Sequence, residues 1–195
     1  MNELAKEYLR KFDRFKSGDI DQIIANTSVE TFKKGDFLVR EGKICDKCYF
    51  ILKGCLRQFK IVNGEERTTD FFIEGDPVVL YASYLNGKPA ECTIQCIENS
   101  ILISGTKAQE IAMHRANPSI QHLVASLMFE DYKKAETYIT LLNGFNPEER
   151  YIMLMKSRPG ILNRIPLVYI SSYLGITPES LSRIRRRIFR IPEKE

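Results

Sequence analysis

The sequence has only two histidines, and none of its apolar runs approaches the roughly 20 residues that span a bilayer. A membrane partner is therefore not expected. The opening stretch "MNELAKEYLRKFDRFK" lacks the apolar core of a secretory signal, and a cytoplasmic protein is the simplest expectation. Leu4, Tyr8, Leu9, Phe12 and Phe15 instead recur at helical spacing and predict an N-terminal helix. His114 and His122 have no Cys, Asp or Glu at ligand spacing, so a surface or interface role is expected and a metal is not. No Ser-His-Asp, Cys-His or paired-carboxylate set stands out. No catalytic residue is assigned, no cofactor is expected, and the chain does not read as an enzyme. "GKP" at 87–89 lacks the preceding glycine and the following Ser or Thr of a phosphate loop. No segment is repeated or of low complexity.

What is present is an ordinary globular composition, 44% hydrophobic and 28% charged over 195 residues. That length allows one ample core, or a medium domain with a small one. The charge is unevenly placed. Residues 147–195 carry ten Lys or Arg against five Asp or Glu, while residues 1–146 carry nineteen against twenty. A basic module beside a neutral body suggests that the last quarter meets a polyanion.

From about Glu30 to Gly105, glycines at 35, 42, 54, 64, 75 and 87 punctuate short segments rich in Phe, Ile, Val, Tyr and Thr. Regular turn signals at that spacing predict an all-β sandwich or barrel. Turns are explicit at "KKGD", "VNGEE", "IEGD" and "LNGK", and Asn63-Gly64 predicts a hairpin. From about Pro118 to Leu142 the period becomes helical. Ile120, Leu123, Val124, Leu127, Met128, Ala135, Tyr138 and Leu142 share one side, interrupted at Asp131, while Phe129, Tyr132 and Ile139 lie off it. Such a helix can cover the β-domain and also meet a second copy. Gly144 and Pro147 then end one helix and open another.

Residues 167–186, "LVYISSYLGITPESLSRIRR", fit a helix-turn-helix. Leu167, Ile170 and Leu174 point inward, Ser171 is small where two helices cross, and Gly175 suits the positive φ of the turn. Ile176 tucks beneath it. Thr177 is a good N-cap, with Pro178 at the first helical position. In the second helix Leu181, Ile184 and Ile188 cluster on one side. Glu179, Arg183, Arg186 and Arg190 cluster opposite, flanked by Ser180 and Arg187. A helix of this width fits the major groove of double-stranded DNA. Arg183 suits a bidentate contact to guanine, Glu179 suits cytosine N4, and Ser180 suits a base or phosphate. Arg186, Arg187 and Arg190 suit phosphates.

The order of β-roll, long helix and helix-turn-helix resembles the Crp/Fnr family of bacterial transcription regulators. The likeness covers nearly the whole chain and rests on "FKKGDFLVREGKICDKCYFILKGCLRQFK", "DFFIEGD" and "YLGITPESLSRIRRR". It implies an α+β fold. Residues 1–116 would form an N-terminal helix and a jelly-roll-like β-roll sensor, the cyclic-nucleotide-binding-like domain. Residues 117–143 would form a long dimerisation helix, and 144–195 a winged-helix-like DNA-binding domain. Only "IPEKE" follows its last helix, so the wing is expected to be short or absent.

The resemblance implies a homodimeric, sequence-specific DNA-binding regulator, with RNA polymerase as a further partner and an unknown small-molecule effector. The family's recognition helix has an Arg-Glu pair near its start and a later Arg. Glu179 and Arg183 match two of these, and Pro178 replaces the first Arg, so the preferred DNA sequence should differ. The family's phosphate cassette expects Gly-Glu and Arg-Ser where Val79-Leu80 and Ala90-Glu91 stand. Glu91 would face the ligand's phosphate, and cyclic AMP is not expected to bind in the usual way.

Some family members hold an iron–sulfur cluster on N-terminal cysteines, and "CDKC" here pairs Cys45 with Cys48. Their placement at a strand entry favours packed thiols, as for Cys55, Cys92 and Cys96. A thiol- or metal-based redox sensor remains one alternative. A small-molecule-binding module whose basic tail contacts a protein partner is another.

Overall fold

The computed structural model describes residues 1–116 and 118–189. Its N-terminal residues form two helices, not one: α1 (Asn2–Leu9) and α2 (Ser17–Asn26). After Leu9 the chain turns, with the Lys11 and Phe12 N–H groups donating to the Tyr8 and Leu9 carbonyls at 3.1 Å. Phe12 and Phe15 then meet Phe50 edge-on, with ring centroids 5.6 and 5.3 Å away. Contact with a sheet residue decides their placement, and helical spacing gives way to it.

Eight strands follow among the described residues: β1 (Ser28–Phe32), β2 (Phe37–Val39), β3 (Lys47–Lys53), β4 (Leu56–Val62), β5 (Glu65–Phe72), β6 (Pro77–Val78), β7 (Thr93–Cys96) and β8 (Ser100–Thr106). They form two antiparallel four-stranded sheets, ordered β1-β8-β3-β6 and β2-β7-β4-β5. Side chains alternate across each strand. Tyr49, Ile51, Leu56, Phe72, Val78, Ile94 and Leu102 join the two sheets in one packed interior. Leu52 and Ile103 face the other way, packing with α1 and α2.

The expected hairpin is present. Val62 pairs with Glu65 across Asn63 (φ 53°) and Gly64 (φ 82°), the positive values a type I′ turn needs. "KKGD" and "IEGD" use one device. The Asp36 carboxylate accepts the Lys33 N–H at 2.7 Å, and the Asp76 carboxylate accepts that of Ile73 at 3.0 Å. "LNGK" differs from expectation. Gly87 ends a helix, α3 (Tyr81–Asn86), and its N–H donates to the Ser83 carbonyl at 2.8 Å.

Four of the five remaining helices are α4 (Lys107–Ala116), α5 (Pro118–Gly144), α6 (Pro147–Ser157) and α7 (Leu167–Tyr173); the last is α8 (Pro178–Phe189). The Asn146 side chain accepts from the Glu148 and Glu149 N–H groups, and Glu149 reaches back to the Asn146 N–H, a capping box that starts α6. The long helix divides its apolar residues between two sides. Ile120, Leu123, Val124 and Leu127 lie over the outer face of the roll. Tyr138, Leu141 and Leu142 join a second core containing Phe71 of β5 and most of the C-terminal helices. Met128, 40% exposed, and Ala135 leave the expected stripe and face outward. Phe129, Tyr132 and Ile139, each more than half exposed, stand beside them. Lys134 pairs with Asp76 beside the half-buried Asp131, so the stripe breaks at a polar contact to the "IEGD" turn.

Candidate nucleic-acid interface

The chain between α7 and α8 turns at Gly175, with φ 69°. A side chain there would adopt a rare backbone conformation and press on Arg150, whose Nη1 would lie 3.4 Å from the added Cβ. Ile170, Ser171 and Leu174 are buried, and Leu167 and Ile176 are partly so. The small Ser171 donates to the Val168 carbonyl at 3.0 Å, which satisfies its hydroxyl at the close approach of the helices. Thr177 Oγ1 accepts the Ser180 N–H at 3.2 Å and caps α8 ahead of Pro178.

In α8, Leu181 and Ile184 are buried, and Ile188 packs at the edge of the same core. Glu179, Arg183, Arg186 and Arg187 are exposed. The proposed reading face is therefore open to solvent. Ser180 is half-buried, and its hydroxyl lies 3.2 Å from that of Thr177. Arg187 is not free: its Nη2 lies 2.5 Å from Glu148 Oε2 of α6. Its use on a phosphate requires exchanging that partner. The Glu179 carboxyl sits below the usual range because its own backbone N–H and the Thr177 hydroxyl stabilise the anion, with Arg183 adding to this. It is thus acceptor-only, which suits an amino-group donor. Arg190 and the "IPEKE" segment lie outside the described residues.

Three other arginines of the basic quarter have protein partners, which narrows the inference drawn from charge alone. Arg150 donates to the Phe145, Leu174 and Leu142 carbonyls at 2.8, 3.0 and 2.8 Å, tying the end of α5 to the turn before α8. Arg158 donates to the Phe71 carbonyl at 2.8 Å and lies 3.7 Å from Asp70. Arg164 grips Glu74 at 2.8 Å and Glu98 at 2.6 Å. Ser172 Oγ accepts the Thr68 N–H at 2.9 Å and lies 3.2 Å from the Glu66 carbonyl. Arg57, buried in the roll, covers the Tyr169 ring at 3.8 Å. Tyr173 stacks on Tyr138 with centroids 4.4 Å apart, and the Tyr138 hydroxyl donates to the Tyr173 carbonyl. These contacts hold α7 against β4 and β5 and the end of α6 against β5, while α8 packs on α7. Sequence reasoning missed them, since most of their partners lie 60 to 110 residues apart.

The phosphate-cassette positions do not fit a cyclic nucleotide. Leu80 packs into the roll, and Tyr49, Phe72, Ile94 and Leu102 fill the space between the sheets. Glu91 does not face that space as expected; its side chain is 82% exposed and pairs with Lys60 at 3.2 Å. Surface solvation, rather than a pocket, takes the carboxylate.

The cysteines of "CDKC" face separate surroundings. Cys45 Sγ donates to the Lys47 carbonyl at 3.2 Å, and Cys48 Sγ to the Gly105 carbonyl at 3.3 Å. Burial raises both thiols above their ordinary range, Cys55 to about 12, and Cys92 and Cys96 to about 11. Thiolate chemistry is thereby disfavoured. Among the described residues, no three Cys, His, Asp or Glu side chains converge as a ligand set. The expectation for His114 is corrected in one respect. Glu110 stands one helical turn earlier, with Oε1 4.0 Å from His114 Nε2.

A two-sheet roll with a long helix and appended helices defines the cyclic-nucleotide-binding class of β-roll. Residues 29–114 match the family described as the cyclic nucleotide-binding domain. The chain is 25% identical over 169 residues to the transcriptional activator protein Anr of Pseudomonas protegens, covering 80% of this chain and 68% of that protein. The solved structure of FixK2 from Bradyrhizobium japonicum has a TM-score of 0.69 at 18% identity, over 83% of this chain and 84% of that one. The global regulator CLP of Xanthomonas campestris gives a TM-score of 0.73 at 11% identity, over 89% and 91%. Over most of its length the chain is thus similar to bacterial transcription regulators, and its residues 29–114 match the cyclic nucleotide-binding domain.

Proposed function

We propose that the chain is a sequence-specific DNA-binding transcription regulator acting as a homodimer, with α7 and α8 as its helix-turn-helix. The observation that carries this reading is α8 itself. Its apolar side is pinned in the core, while Glu179, Arg183, Arg186 and Arg187 stand exposed on the opposite side and flank. Regulator relatives such as Anr support it, and none of those cited is an enzyme. In this reading Thr177, Glu179, Ser180 and Arg183 approach bases, and Arg186, Arg187 and Arg190 meet phosphates.

The division of labour follows the elements. Residues 1–116 form a sensor, 117–143 the dimerisation helix and 144–195 the DNA module. Ala125, Met128, Tyr132, Ala135, Ile139 and Leu142 recur at intervals of three and four on α5. That alternation is the seam of a two-stranded coiled coil, and five of the six are exposed in the single chain. A second copy of the helix covers it. Two recognition helices would then occupy successive major grooves about 34 Å apart on a near-palindromic site. The protein acts in the cytoplasm, where RNA polymerase is its further partner. Among the described residues no helix is long and apolar enough to cross a membrane.

The effector is a molecule other than a cyclic nucleotide, because the roll interior is filled and the cassette lacks its carboxylate–arginine pair. The raised thiols disfavour the redox-sensor alternative. Selection of bound sequences from random duplex DNA tests the proposal. Recovery of a near-palindrome with half-sites one helical turn apart is expected. Recovery of no enriched sequence would favour the reading in which the basic tail contacts a protein.

A further inference from the structure

A cavity of about 190 Å³ lies outside the roll, between the outer face of the β1-β8-β3-β6 sheet and the helices that cover it. Phe50 and Ile103 form its floor, Phe15 and Met113 its sides, and Leu123 and Leu127 of α5 part of its roof. It is thus on the opposite face of the sheet from the interior that a cyclic nucleotide would need. An apolar cavity of ~150 Å³ accepts a benzene ring, so this one has room for a single ring with a short substituent.

Its lining is almost wholly apolar except at one corner. There the Tyr84 hydroxyl donates to Glu110 Oε2 at 2.6 Å and lies 3.8 Å from Cys48 Sγ. Glu110 Oε1 is 4.0 Å from His114 Nε2, beyond hydrogen-bond reach. Among the described residues, the Tyr81 hydroxyl and His114 Nε2 are buried and have no hydrogen-bond partner. Buried polar atoms rarely stay unpaired, because each costs about 1–3 kcal/mol when desolvated. A guest with one hydroxyl satisfies the Tyr81 hydroxyl, whereas His114 does not line the cavity. The guest donates to Glu110 Oε1 and accepts from the Tyr81 hydroxyl, while its ring fills the apolar space. The Glu110 carboxylate opposes an anionic guest, and the apolar walls oppose a highly polar one.

We propose that this cavity is a binding site for a small neutral phenol or benzylic alcohol, with Tyr81 and Glu110 recognising its hydroxyl. The occupant presses on Leu123, Leu127 and Met128, and Met128 also stands on the exposed seam of α5. Occupancy therefore bears on the dimerisation helix. That effector role rests on the regulator reading above; binding itself does not.

The test is a methyl NMR titration of the full chain with 4-ethylphenol, ethylbenzene and 4-ethylbenzoate, in wild type and Tyr81→Phe. Saturable shifts at Met113, Leu123 and Leu127 are expected with 4-ethylphenol, and none with 4-ethylbenzoate. Tyr81→Phe should weaken 4-ethylphenol about fivefold or more and leave ethylbenzene nearly unchanged, since one hydrogen bond is at stake. Ethylbenzene binding also reports that the variant pocket is intact. Absence of saturable 4-ethylphenol shifts through millimolar concentrations would overturn the proposal. So would shifts confined to Ile51, Ile94 and Leu102 inside the roll, or equal loss of both ligands in the variant. Anisotropy of a labelled duplex in the same samples separates the two claims. DNA binding without 4-ethylphenol binding contradicts the pocket alone. 4-Ethylphenol binding without DNA binding upholds the pocket and contradicts the regulator.

Discussion

Arg150, Arg158 and Arg164 carry the same charge as the arginines of α8, yet their surroundings give them different work. Each is enclosed by carbonyls or carboxylates of the protein, while Arg183 and Arg186 are exposed. Composition cannot distinguish the two sets, because their partners are distant in sequence. The acids that meet these arginines also differ from each other. Burial pushes the Asp70 carboxyl up to about 6, and Arg158 only partly offsets it. The folded form therefore holds a proton more tightly than the unfolded chain. Its ionisation lowers stability as pH rises from about 4 to about 6, by up to 2–3 kcal/mol. Asp70→Asn should abolish that decline, and chemical denaturation across pH 4 to 7 checks it. Burial also works to raise Glu74, but hydrogen bonds from Arg164 and the Gly54 N–H outweigh it and hold the carboxyl low. Its contribution is present above its ordinary range and is lost as pH falls below it.

Elements with local causes were legible in the sequence. The Asn63-Gly64 hairpin, the helix start at Pro147 and the Gly175 turn each depend on residues within a few positions. The spacing of Leu181, Ile184 and Ile188 likewise gave the buried side of α8. Elements governed by distant contacts were not legible. α1 stops at Leu9 because Phe12 and Phe15 meet Phe50, and the α5 stripe breaks where Asp131 and Lys134 meet the Asp76 turn of the roll. The attachment of α6 and α7 to β5 belongs to the same class. Arg164→Ala removes its ionic clasp to Glu74 and Glu98, a partly buried pair whose loss costs on the order of 1–2 kcal/mol. Hydrogen exchange should then accelerate in α6 and α7 while the roll interior stays protected. Uniform acceleration through the roll would show the clasp to be part of one global unit.

The proposed sensor roll, pairing helix and DNA module are joined through α5. Pairing is tested apart from DNA. Ile139→Asp places a charge on the seam, and sedimentation velocity should show a dimer of the 22.5 kDa chain fall to monomer. Anisotropy of a labelled duplex carrying the selected site measures what the exposed face of α8 recognises. Arg183→Ala should cost about 1–3 kcal/mol on that site and little on a scrambled duplex. Arg187→Ala should weaken both duplexes alike and reduce the salt slope by about 0.9 per phosphate contact. Wild-type protein that shows no salt-sensitive affinity for either duplex, or two variants with identical losses on both, would contradict the account.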